Sequence, residues 1–584
     1  MLATLSVAVA AAFSGGGAAA SSPHVLRVGT VNGVKGPYAS IQAAVNDARP
    51  GDWVLVGPGD YHEQGVPGSE HQAGVLITTP GVHLRGMNRN TVVVDGTKPG
   101  SPQCDAAPSS QNLGLPDGSG GTLGRNGVEV WEADGVSVEN LLVCNFLSGS
   151  GGGNGNQIWW NGGDGTGTIN LHALRGDYIT ASSSYDYGTD PANHASSTVP
   201  MGQYGIFTSN EGGPGVIDHS YASNMGDSDY YIGACQDCNV DLNHAHAENS
   251  ALGFSGTNAG GHLTIENGEW DRNKTGIAPN TLNNDDWPSP ANGACPGGGG
   301  SCSVIRNNNV HDNNNPNTPG YGIAAAAPVG VGIILSGIRN YTVTGNTVTG
   351  NNGWGVVVND YPDGETPSPK SKQPCAGGTD LSTPAQSMCY YQAVGNEVAA
   401  NTFSNNASWN NPGNADIALA AQPSAPANGD CFHGNTDTSG TLSSDPPQIQ
   451  TLLGMCGIPN QGYLGPSFAQ LVCASPGALP LIPQCPQVPP VVNYPQGSVA
   501  DTTILPIPYD QATMPDPCKD VPANPWCPST TAVVGASAGD ATPAASLPDT
   551  AGVVAAPASA GLLAAFATLG GVVVLRRRRG GAGR

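Results

Sequence analysis

Short apolar runs separated by Gly, Asn and Asp fill most of this chain, and their alternation is that of strands rather than helices. Val136-Ser-Val138, Val240-Asp-Leu242, Leu263-Thr-Ile265 and Tyr341-Thr-Val343 alternate with period two, as half-buried strands do. After each run comes a six-residue pattern, x-x-Φ-x-x-Asn, with Φ apolar or aromatic. Its copies end at Asn145, Asn224, Asn249, Asn273, Asn313, Asn351 and Asn406. The Φ positions are Leu142, Tyr221, His246, Trp270, Val310, Val348 and Phe403. A second apolar run follows, as in Gly355-Val356-Val357-Val358. Successive copies lie 25 and 24 residues apart between Asn224, Asn249 and Asn273, and a solenoid coil takes roughly 22 to 25 residues, so wider gaps mark coils with inserted loops.

Strand, turn, strand, turn in each repeat predicts an all-β, single-stranded parallel β-helix over 24–410. Like positions stack on like, so the seven Φ residues are expected to line the interior. Two residues earlier, Asn140, Asn308, Asn346 and Asn401 are expected to form an inward amide ladder. In this alignment His219 and His244 share the ladder position, His246 is a core residue, and His311 points outward.

Tyr38-Ala-Ser-Ile41-Gln-Ala-Ala44-Val45 reads as a short amphipathic helix with Ser40 as N-cap, placed to cover the open end of the first coil. It leads into the strand Trp53-Val-Leu55-Val. This helix-then-strand opening, with the repeats that follow to Asn406, resembles the pectin-lyase-like superfamily. The resemblance implies a right-handed parallel β-helix, in a family containing polysaccharide lyases, hydrolases and epimerases beside binding and structural proteins.

Composition adds the compartment. The 84 Gly and 49 Pro suit many turns, and a net charge of −24 argues against nucleic acid as a partner. Fourteen cysteines suit an oxidising environment. Neighbours in sequence suggest the disulfides Cys235 with Cys238, Cys295 with Cys302, Cys375 with Cys389, Cys431 with Cys456, Cys473 with Cys485 and Cys518 with Cys527, leaving Cys104 with Cys144. At Cys235-x-x-Cys238 zinc is the other reading, with His244 and His246 nearby.

Residues 1–20, an apolar run closing on Gly15-Gly16-Gly17-Ala18-Ala19-Ala20, read as a secretory signal cut after Ala20, although no Lys or Arg precedes Arg27. At the other end Leu547-Pro548-Asp549-Thr550-Ala551 precedes an apolar stretch, 552–575, and Arg576 to Arg579. Pentapeptide, span and basic stop in this order resemble the cell-wall sorting signal of sortase substrates. That resemblance implies cleavage between Thr550 and Ala551 and attachment to a Gram-positive wall; uncut, the segment is a single-pass transmembrane anchor. Residues 411–490 are expected to be an irregular, Cys-containing cap. Residues 491–546, rich in Pro, Ala and Thr, are expected to be a disordered spacer, and 547–584 the sorting signal.

Candidate chemistry lies on outward positions. Glu269 and Asp271 flank Trp270 one coil from His311, and two carboxylates with a histidine suit acid–base work on a glycan or the binding of a cation; a solvated charge cluster is the plain alternative. Ile217-Asp218-His219-Ser220 followed by Asp227 and Asp229 resembles a pectate lyase segment, implying Ca²⁺ ligands at Asp227 and Asp229, although the R-x-P-x-x-R element of that family has no counterpart. Loops carrying Trp159, Trp160, Tyr187 and Trp287 are expected to offer aromatic faces to sugar rings. The reading is a secreted, wall-anchored β-helix that binds an extracellular polysaccharide and processes it as lyase, hydrolase or epimerase. The other class is a non-catalytic adhesin using the same surface.

Overall fold

The computed structural model describes residues 22–164, 166–185, 200–282, 303–364, 375–423, 429–459, 462–473 and 493–528. They form a parallel β-helix of three sheets, one strand from each coil entering each sheet. The first sheet has 12 strands, from Val25–Val28 to Cys431–His433. The second has 11, from Gly59–Tyr61 to Thr436–Asp437, and the third has 11, from Ala73–Ile77 to Ser444–Asp445. Coils therefore continue past the expected limit at 410, into the segment read as an irregular cap. The N-terminal helix, Ile41–Asp47, has Ser40 accepting from the Ala43 amide at 3.1 Å, and Ile41, Ala44 and Val45 are buried.

Inward residues interlock by volume. Where the second sheet contributes only Ala222 and Ala247, the third contributes Tyr230 and Phe254, all fully buried. One coil on, Trp270 fills the same column above Ala247. Such exchange of large for small keeps the cross-section filled at the density of a protein interior.

The pairing register corrects the sequence alignment in its first three copies. Val143, Ala222 and Ala247, not Leu142, Tyr221 and His246, stand in line with Trp270, Val310, Val348 and Phe403. Leu142, Tyr221 and His246 face outward. The cause is a two-residue turn in which both places suit asparagine. Asn145, Asn224 and Asn249 occupy the left-handed place, with φ of 56°, 67° and 59°. Asn273, Asn313, Asn351 and Asn406 occupy the next place, which points inward. One residue of slip in a strand exchanges its two faces.

The inward places build two amide ladders. Asn308 donates to Asn346 at 3.0 Å, Asn346 to Asn401 at 2.9 Å, and Asn401 to Asn435 at 3.0 Å. At the other turn Asn273 donates to Asn313 and Asn313 to Asn351, at 3.1 and 3.0 Å. Asn140 was expected in the first ladder but has φ 56° and sits at the left-handed place. So do His219 and His244, at φ 49° and 46°.

The five disulfides Cys104–Cys144, Cys235–Cys238, Cys375–Cys389, Cys431–Cys456 and Cys518–Cys527 are formed as expected, which overturns the zinc reading at Cys235 and Cys238. Cys302, expected to pair with Cys295, lies outside the described residues, as Cys295 itself does. Cys485, expected to pair with Cys473, also lies outside the described residues, which end this segment at Cys473. Segments 1–20 and 547–584 fall outside them as well. Among the described residues no helix is long and apolar enough to cross a membrane.

The spacer expectation fails for residues 493–528, which form a strap docked along the body, from the coil of Trp409 back to the first coil. Asn493 donates to the Trp409 carbonyl at 2.8 Å, and the Tyr494 hydroxyl to the Val329 carbonyl at 2.7 Å. Asn249 and Asn224 then grip the backbone: Asn249 donates to the Thr503 carbonyl at 2.8 Å, and Asn224 both donates to and accepts from Leu505 at 2.9 Å. Ile507 packs on Val93, Leu142 and the Cys104–Cys144 bridge. Asn140 accepts from Met514 at 2.9 Å. Finally Trp526, 6% exposed, inserts beside Trp53 and Leu55 and donates to the Val34 carbonyl at 2.9 Å. A proline-rich segment makes few bonds to itself, so its backbone groups are free for side chains arranged along a regular turn.

Candidate functional site

The strap crosses the N-terminal half of the second sheet's outer face, and among the described residues the other half is left open. At the edge of the open part the strand periodicity collects acids and bases. His246, Glu269 and Asn309 form one outward column; Glu248, Asp271 and His311 form the next. Tyr221 and Ser223 precede them, and Thr347, Thr349, Thr402 and Ser404 continue the two columns as hydroxyls.

The expected trio of Glu269, Asp271 and His311 is thus brought to one face, and it acquires partners that the alignment had placed inside. His311 Nε2 lies 3.2 Å from Glu269 Oε1, and His311 Nδ1 lies 3.1 Å from Asp312. His246 Nε2 lies 2.9 Å from Asp271 Oδ1. Arg272 Nε donates to Asp271 Oδ2 at 2.7 Å and its guanidinium also contacts Glu248, which accepts from the Tyr221 hydroxyl at 2.5 Å.

These contacts separate the protonation states. Hydrogen bonding to Glu269, and then to Asp312, pushes His311 up to about 9. The same His311 bond holds Glu269 below the usual carboxylate range. Burial opposes ionisation of Asp271, but the neighbouring His246, Arg272 and His311 outweigh it and leave it lowered. His246 is raised because Asp271 outweighs its burial. At neutral pH His311 is therefore a proton donor beside an ionised Glu269. Glu269 is exposed, whereas Asp271 is only 4% exposed. Asp271 thus acts as a positioning residue, holding His246 and Arg272 in place.

The calcium expectation does not survive. Asp227 accepts from the Tyr204 hydroxyl at 2.9 Å, but Asp229 is fully buried and accepts from Ser250 Oγ at 2.6 Å. It occupies the inward place that Gly205 and Gly253 fill in the neighbouring coils. Burial, reinforced by Glu248 and Asp271 and opposed by Ser250, raises its carboxyl well above the usual range. Asp229 thus points into the core, and the expected outward pair of cation ligands with Asp227 is not formed. The folded pKa of Asp229 is raised, so the native state holds a proton that the unfolded chain releases above about pH 4, and stability falls as pH rises from there. Asp229→Asn is expected to be at least as stable as the parent at pH 7 and to lose that part of the slope. Urea unfolding at about pH 4.5 and 7 checks this, and a variant destabilised more at the higher pH than at the lower contradicts it.

Of the aromatic residues, Trp159 faces outward on the third sheet and stacks on Phe207, centroids 4.9 Å apart and planes 2° apart. Phe207 stacks on Tyr204 and meets Tyr231 edge-on. Trp160 is fully buried, with its indole N–H donating to the Val136 carbonyl at 3.3 Å. Adjacent strand residues point to opposite faces, so both could not serve a ligand. Tyr187 and Trp287 lie outside the described residues.

Fold and site together define a parallel β-helix with an acid–base cluster on an open, hydroxyl-lined face. No protein-family model matches the chain, and no curated protein matches its sequence. Among solved structures it is similar to the A-module of the Azotobacter vinelandii mannuronan C-5 epimerase AlgE4, with 12% identity over 69% of this chain and 91% of that one, TM-score 0.37. It is also similar to the catalytic domain of a GH87 alpha-1,3-glucanase, with 13% identity over 69% and 64%, TM-score 0.36. For pectate lyase Pel9A the identity is 15% over 66% and 78%, TM-score 0.31. These are likenesses of backbone architecture and assign none of the residues above.

Proposed function

We propose that this chain is an exported, wall-attached β-helix that binds an extracellular polysaccharide and processes it on the open face of the second sheet. The observation that supports it is the convergence of Glu269, His311, His246 and Asp271 beside a run of outward hydroxyls. His311 carries the proton for a glycosidic oxygen, and Glu269 is the base that activates water or takes a ring proton. Sugar hydroxyls bond to Asn309, Thr347 and Thr349 alongside. Attachment follows the sorting signal read at 547–584, with Thr550 as the residue joined to the wall.

The second reading is a non-catalytic adhesin. It is supported by the Trp159–Phe207–Tyr204 stack, which stands on a different sheet from the acids and offers aromatic faces to sugar rings. Incubation of residues 21–546 with uronic-acid and neutral polysaccharides, with and without calcium, separates the two. Processing yields unsaturated uronates, new reducing ends or epimers. Glu269→Gln and His311→Ala are each expected to lower kcat/KM on the order of 10²-fold or more. Activity should fall as pH rises through about 9, where His311 loses its proton. Tight binding with no product from any polymer refutes the enzyme and leaves the adhesin.

A further inference from the structure

A second cluster stands at the turn joining the first sheet to the second, and the proposed activity does not use it. His219 and His244 occupy the left-handed place of consecutive coils, where other coils carry Asn140, Asn267 and Asn307 at φ of 56°, 54° and 55°. Asparagine meets the backbone requirement there, so two successive imidazoles exceed what the turn needs. Their rings stack, with centroids 4.7 Å apart and planes 25° apart, and Tyr178 stacks on the far side of His219 at 4.6 Å.

Both rings turn the same nitrogen toward one carboxylate oxygen. His219 Nδ1 lies 2.9 Å and His244 Nδ1 3.0 Å from Asp218 Oδ1. The Asp218 oxygen already accepts from the His219 backbone N–H at 2.9 Å, and His219 Nδ1 is buried without a hydrogen-bond partner despite its short contact. Three nitrogens thus crowd one oxygen, and one ring nitrogen has no hydrogen-bond use. Imidazole nitrogens lie about 2.0–2.1 Å from a bound zinc ion, so two tetrahedral ligands are roughly 3.3 Å apart. The His219–Asp218 and His244–Asp218 separations are a few tenths of an ångström shorter than that spacing. The three ligand atoms all lie within 4.8 Å of one another. The side chains of His219, His244 and Asp218 are 39%, 49% and 25% exposed, leaving room for water ligands. Asp241 and Glu266 stand on the adjoining face of the first sheet, with Arg306 paired to Glu266.

We propose that Asp218, His219 and His244 bind one divalent transition-metal ion of the zinc, nickel and copper class, through two imidazole nitrogens and one carboxylate oxygen. Mixed imidazole and carboxylate donors select these ions over calcium or magnesium. The site is independent of the glycan reading, since none of its ligands belongs to the Glu269–His311 face.

The test is calorimetric titration of the metal-stripped full chain with Zn²⁺ and Cu²⁺, with electron paramagnetic resonance of the Cu²⁺ form. One ion per chain and a spectrum showing nitrogen ligation are expected. His219→Asn and His244→Asn keep the residue type that neighbouring coils use at this turn, so both should fold with unchanged circular dichroism. Each is expected to weaken binding about tenfold or more, and the double variant to abolish it. His262, which pairs with Asp237 at 2.9 Å without a second imidazole, is the control; His262→Asn should leave binding unchanged. Absence of binding at micromolar metal, or binding that survives the double variant, overturns the proposal.

Discussion

Replacing Asn346 by leucine is expected to destabilise the central coils by about 2–6 kcal/mol, although leucine is close in size and more apolar. Asn346 is 1% exposed. Its Oδ1 accepts from both the backbone and the side chain of Asn308, at 2.9 and 3.0 Å. Its Nδ2 donates to the Ile305 carbonyl and to Asn401 Oδ1, each at 2.9 Å. Leucine leaves the Asn308 backbone N–H and the Ile305 carbonyl without these partners, and each such group costs about 1–3 kcal/mol. The adjacent Thr347 points outward and is exposed, so Thr347→Ala should change stability by less than about 0.5 kcal/mol. Paired urea titrations read both. Equal effects at the two positions contradict this register.

Trp526→Ala is expected to release the strap, at a cost of about 3–5 kcal/mol, the range for a buried tryptophan. The indole fills the space beside Trp53 and Leu55, donates to Val34 and lies 5.7 Å from the Arg27 guanidinium. Neighbouring Arg85 donates to the Lys519 carbonyl at 2.7 Å and lies over Trp53. Without the indole the last strap residues lose their largest anchor, and a protease should cut within 505–528 while the coils stay intact. Opening is expected to spread from the first coil toward Asn140, because each strap residue contacts only its own part of the solenoid. Deletion of 493–528 should then lower the melting temperature further. A strap that resists proteolysis in Trp526→Ala would show that the asparagine contacts at 140, 224 and 249 suffice to hold it.

The outward trio of Glu269, Asp271 and His311 was legible in the sequence because Trp270 fixes that stretch: so large an apolar residue must face inward, and its neighbours must then face out. No such residue anchors the earlier copies. Ala222 and Ala247 are small enough to pass for outward positions, and Tyr221 and His246 beside them are large enough to pass for core. The alignment followed asparagine instead, and asparagine suits both places of the turn. That single ambiguity hid His246, Glu248 and Tyr221 from the candidate site, and His219 and His244 from the metal cluster. An alignment on the small residues Ala222 and Ala247, with Tyr230 and Phe254 as their bulky complements, carries the missing signal.

The strap was hidden for a different reason. Proline-rich, uncharged segments have the composition of solvated linkers, and docking depends on partners far away in the chain, as between Leu505 and Asn224. The tryptophan and the Cys518–Cys527 bridge within it were the local signs.

By itself, the sequence determined the repeat, the capping helix and the class of fold, because period-two alternation and turn residues act over a few positions. Tertiary structure alone decided which member of each turn points inward, that Asp229 is a core residue, and that residues 493–528 return along the body. Those outcomes turn on volumes and hydrogen bonds supplied by other coils, and a local pattern with two equally good registers holds no information about them.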